Sequence, residues 1–127
     1  MADFLEAVDS DSGKKEPTPV TIVSGGANVM GTEYETVAAS QTNQAIGATG
    51  GAGDLLAGLL IVPATTSPGA VSINDGAGSA ITVFAGGTSS VSSLVPFFVP
   101  LGIKSLAGAW QVTTGANVSA IAVGDFT

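Results

Sequence analysis

Short β-prone runs, each closed by turn residues, set the main constraint on this chain. Val20–Ser24, Thr32–Ala39, Leu55–Val62, Ala70–Ile73, Ala80–Ala85, Leu94–Val99, Ser105–Thr113 and Asn117–Val123 are rich in Val, Ile, Thr and aromatic residues. Between them stand Pro68-Gly69, Asp75-Gly76, Gly86-Gly87 and Thr114-Gly115, which favour turns. Several runs alternate in polarity. Val71 and Ile73 face opposite to Ser72 and Asn74; Ile81 pairs in parity with Val83, and Leu106 with Trp110 and Val112. No longer repeat is visible. The spacing predicts an all-β chain: a single antiparallel β-sandwich or jelly-roll-like domain over residues 20–127.

Charge divides the chain in two. Asp3, Glu6, Asp9, Asp11, Lys14, Lys15 and Glu16 all precede Pro17, whereas from Thr36 onward only Asp54, Asp75, Lys104 and Asp125 are charged. Residues 1–19 therefore read as an extended N-terminal arm and linker. Asp3 and Glu6 have capping-box spacing for a short helix, and Phe4, Leu5 and Val8 would share its face. Pro17 and Pro19 favour an extended path beyond it. We expect Phe4, Leu5 and Val8 to anchor the arm on a partner.

Composition narrows the function. Only 10% of residues are charged, against about a quarter in an average soluble protein, and mean hydropathy is +0.50. A domain surface this poor in charge is weakly protected against association. Net charge is −7 with three lysines and no arginine, too little cation to neutralise a nucleic-acid backbone and the wrong sign for an anionic membrane. The N-terminus lacks the basic and apolar regions of a secretory signal, and Leu55–Val62 is far shorter than the roughly 20 residues of a membrane-spanning helix.

The stretch "GATGGAGDLLAGLL" at 47–60 invites comparison with a phosphate-binding loop. Such a loop carries Lys-Ser/Thr after its last glycine; here Gly53 is followed by Asp54 and Leu55. The glycines at 47, 50, 51 and 53 also miss the dinucleotide-binding spacing. We read the cluster as a bend before a strand apolar on both faces.

Catalytic groups are scarce. With neither His nor Cys, Ser-His and Cys-His pairs are ruled out. Asp54, Asp75 and Asp125 are scattered and each adjoins glycine, which is turn chemistry. Lys104 reads as a lysine snorkelling at a sheet edge. "NDGAGS" at 74–79 matches no calcium loop, and calcium needs six or more oxygens. The residues thus point to no enzyme, cofactor or metal. Interface candidates remain: adjacent Phe97 and Phe98 point to opposite faces, so one fills the core and the other needs a cover, and Trp110 is a core or subunit-interface residue.

From Thr36 to Thr127 the chain resembles the head decoration, or cement, proteins of tailed bacteriophages. The resemblance lies in "TVAASQTNQAIGATGGAGDLLAGLLIVPATTSPGAVSINDG", "ITVFAGG" at 81–87, "VPLG" at 99–102 and "GAWQVTTGANVSAIAVG" at 108–124. It implies a β-sandwich that coats a virion shell without catalysis. The partners it implies are the major capsid protein and copies of the chain itself, a homotrimer suiting a shell's threefold positions. A tail or fibre module that binds a host-surface glycan is the rival expectation; it predicts an exposed aromatic beside a polar cleft.

Overall fold

The computed structural model describes residues 30–127. Eight strands are present among them: β1 (Glu33–Val37), β2 (Gln44–Ala45), β3 (Leu55–Pro63), β4 (Val71–Asp75), β5 (Ile81–Phe84), β6 (Phe97–Lys104), β7 (Trp110–Thr114) and β8 (Val118–Asp125). Two four-stranded antiparallel sheets, ordered β1-β8-β3-β6 and β2-β7-β4-β5, pack as a sandwich.

The pairing follows a simple rule. The first strand pairs with the last, β2 with β7, β3 with β6, and β4 with β5. This is one long hairpin, with β4 and β5 at its tip, rolled up until β3 meets β8 and β4 meets β7. That winding is the jelly roll.

Alternation decides which side chains enter the core. Along β8, Val118, Ala120 and Ala122 are buried, and the residues between them are half-buried on the outer side. Val71 and Ile73 of β4 meet Trp110 and Val112 of β7 from the second sheet. Leu56, Leu59 and Ile61 of β3 complete the centre from the first. The switch from even to odd positions along β3 is caused by a bulge at Ala57, where the register against both neighbours shifts.

Two of the expected strands are displaced, and β2 was not among the expected runs. The run read as Leu94–Val99 lies later, at Phe97–Lys104, and contains Pro100 and Gly102. Both are tolerated because β6 is an edge strand, and Gly102 has φ of 69°. The run read as Ser105–Thr113 is a strand only from Trp110; residues 105–109 form a connection, and Leu106 is 87% exposed rather than sharing the inward face of Trp110. The expected Val20–Ser24 strand lies outside the described residues.

Candidate functional site

The glycine-rich loop before β3 is fastened from within. Gly47 donates its backbone N–H to Glu35 Oε1 at 2.8 Å, and Gly51 donates to Asp54 Oδ2 at 3.1 Å. Thr49 and Gly50 donate to the Thr127 carbonyl at 3.0 and 2.9 Å, and Gly53 donates to the Ser105 carbonyl at 2.8 Å. A phosphate-binding loop must turn such amides toward its ligand. Here each has an internal acceptor. Gly50, at φ of 68°, also lies against Ala109, which leaves no room for a side chain.

Asp54 is the hub of this fastening. It is 4% exposed. Its carboxylate also accepts from the Thr127 backbone N–H at 3.2 Å and the Thr127 hydroxyl at 3.0 Å. Its carbonyl accepts from Ser105 N–H at 2.9 Å and from the Trp110 indole at 3.0 Å. Ser105 Oγ closes the cluster by donating to the Gly51 carbonyl at 2.9 Å.

The remaining carboxylates act in the same way. Glu33 accepts from Phe126 N–H, and Asp125 from both the N–H and the hydroxyl of Thr32. Asp75 Oδ1 accepts from Ala107 N–H at 3.0 Å and its Oδ2 from Leu106 N–H at 2.9 Å. These amides hold the Asp75 carboxyl below its usual range, that of Ala107 contributing most. Every carboxylate in residues 30–127 is thus a fastener for the chain's own backbone, and Lys104 is the single lysine or arginine there. In the "NDGAGS" turn the Asn74 amide donates to the Gly78 carbonyl at 2.7 Å. Among the described residues no three His, Cys, Asp or Glu side chains are grouped as metal ligands.

Of the expected interface residues, Phe4, Leu5 and Val8 lie outside the described residues. Trp110 is 2% exposed, with its indole bonded inside the chain; it belongs to the domain's own core, not to a surface that a partner could reach. The two phenylalanines divide. Phe97 packs against the core and meets Phe84 edge to face, with centroids 5.2 Å apart. Phe98, 37% exposed, lies on the outer side of the first sheet, its ring over Gly58.

That outer side is a feature the sequence reading missed. Cross-strand register aligns Thr36, Ile121, Leu60 and Phe98 in one row, and Tyr34, Val123, Gly58 and Pro100 in the next. The second sheet differs: its outer side carries Ser72, Thr82 and Thr113, with Gln111 one row along beside the buried Asn74. The signal was present in β3, which is apolar at nearly every position. Such a run indicates a strand covered on both faces, but only the strand order shows that its outward residues line up with those of β8 and β6.

Two concavities flank β1. One, of about 420 Å³, is lined by Glu33, Tyr34, Glu35, Gly47, Ala48, Phe126 and Thr127. The other, of about 830 Å³, opens on the outer side of the first sheet, with Thr36, Ala38, Val62 and Ile121 among its walls. No protein-family model matches the chain, and neither a curated protein nor a solved structure is significantly similar to it.

Proposed function

We propose that the protein is a virion structural protein: a decoration or cement protein that coats a phage head. It holds the major capsid protein and copies of itself, as a homotrimer on the capsid surface, and performs no catalysis. The observation that carries this reading is the use of charge. All carboxylates from Glu33 to Asp125 are engaged by backbone or side-chain donors of the same chain. They stiffen loops, and among the described residues each carboxylate is already occupied by a donor of the chain and none is held free as a general acid or base. Apart from Lys104, the described surface left is mostly hydroxyl, amide and hydrocarbon, suited to permanent cover by neighbours. The resemblance of residues 36–127 to decoration proteins supports the same reading, and jelly rolls recur in viral shells.

One observation favours the rival glycan-binding reading: Tyr34, 74% exposed, borders the smaller cleft beside Glu33 and Glu35. It ranks second because oxygens of both carboxylates already accept hydrogen bonds from Phe126, Gly47 and Gln44. Quantitative mass spectrometry of the virions that carry this chain separates the two. Decoration expects copies on the order of hundreds per particle, as a symmetric coat requires, and heads that become fragile when the gene is deleted. A copy number of about a dozen or fewer, matching a tail or fibre, would overturn the decoration reading.

A further inference from the structure

The geometry points to the outer side of the first sheet as the surface on which copies of this chain meet one another. This contact deepens the self-assembly in the function proposed above and rests on that part of it alone. Three observations converge on it. First, the two outer sides of the sandwich differ in kind. One carries hydroxyls and amides; the other aligns Tyr34, Leu60, Phe98, Ile121 and Val123 across all four strands. A contiguous apolar sheet face of this sort marks an interaction surface.

Second, the charge pattern selects the occupant. The chain carries −7 overall, so two copies repel unless they meet where the charges are not. The rows through Tyr34 and Thr36 contain no charged residue. The next row, at the end of the sheet, runs Asp125, Leu55, Lys104. It places an anion and the domain's one cation on either side of Leu55, so a turned copy can set one against the other.

Third, the face offers a seat for a side chain of a second copy. The concavity of about 830 Å³, lined by Thr36, Val62 and Ile121 and also by Gln41, Gln44 and Ser119, lies on the β1 side. Phe98, 37% exposed with its ring laid over Gly58, is the aromatic of the same face on its β6 side.

Sedimentation velocity on the full chain tests this, with Thr36→Lys placing an ammonium in the groove at an exposed position and Thr82→Lys as the control on the polar sheet. Circular dichroism follows the fold, and Phe98→Ala is a second probe that removes the aromatic ring without adding charge. The wild type and Thr82→Lys should sediment as multiples of the 12.3 kDa chain. Thr36→Lys and Phe98→Ala should keep the β-signature and weaken assembly by more than about tenfold. A wild-type monomer at tens of micromolar overturns the inference, since the face would then belong to a capsid protein or to residues 1–29. So does a Thr36→Lys variant that assembles like the wild type. A chain that assembles through this face yet never coats a shell would remove the proposed function and leave the contact standing; a monomer that coats shells would do the reverse.

Discussion

Asp54 shows how much one carboxylate can organise when it faces donors rather than solvent. Alanine at this position would strand the N–H groups of Gly51 and Thr127 and the Thr127 hydroxyl. We expect Asp54→Ala to lower the unfolding free energy by about 1.5–3 kcal/mol, the range for a hydrogen bond to a charged group, read as a lower urea midpoint at unchanged slope. Asparagine should recover only part of the loss, because its amide turns a donor toward donors. Asp75 makes a separate prediction. Its folded pKa is depressed by the amides of Ala107 and Leu106, so its stabilisation is complete above the unfolded carboxylate value of about 3.9 and is lost as pH falls through the folded value. Urea midpoints of the wild type should drop on acidification below about pH 4, and Asp75→Asn should drop less steeply. Equal slopes in the two proteins would show that Asp75 contributes nothing to acid lability.

At the scale of elements, β3 and β6 depend on a missing side chain. A Cβ on Gly58 would meet the Phe98 ring and the Val99 carbonyl, at 2.5 Å from that oxygen. The ring can swing away; the carbonyl is backbone within the ladder. Gly58→Ala should therefore destabilise by about 1–3 kcal/mol through overpacking, seen as a fall in melting temperature. The same strands show where the sequence was legible. Leu55–Pro63, Val71–Asp75 and Val118–Asp125 lie within two residues of the expected runs, because each alternates or is continuously apolar. β2 escaped notice: Gln44 and Ala45 form a strand of two residues whose place is fixed by pairing with Val112 and Gln111, not by local preference. The start of β7 was misplaced because Leu106 shares parity with Trp110 and Val112, although Ser105–Ala109 holds no β-branched or aromatic residue; Asp75, thirty-one positions from Leu106, pins the segment as a loop. Among site residues, parity alone showed that Phe97 and Phe98 face opposite ways. Nothing local to Trp110 could distinguish a core from an interface position, since the acceptor for its indole lies 56 positions away.

The whole molecule is a single ribbon rolled on itself, so its contacts are far apart along the chain. Thr32 bonds to Asp125, 93 positions on. Closing such loops delays folding, and refolding from urea should take milliseconds to seconds rather than microseconds. The described residues build a core of their own, from Val37 to Ala122. Deletion of residues 1–16 should then leave the melting temperature unchanged and, on the proposed function, lower occupancy on the shell; lost folding would instead place the arm in the domain's own core. The carboxylate fasteners have a further consequence for the medium in which the protein works. Coulomb pairs between surface side chains weaken as ions crowd in, over a screening distance of about 10 Å at 0.1 M salt. Here the anions face amide dipoles at contact distance, and the domain has one cation to lose from any pair. The domain's melting temperature should therefore barely change between distilled water and brine, so that its fold keeps no record of the ionic history of its surroundings.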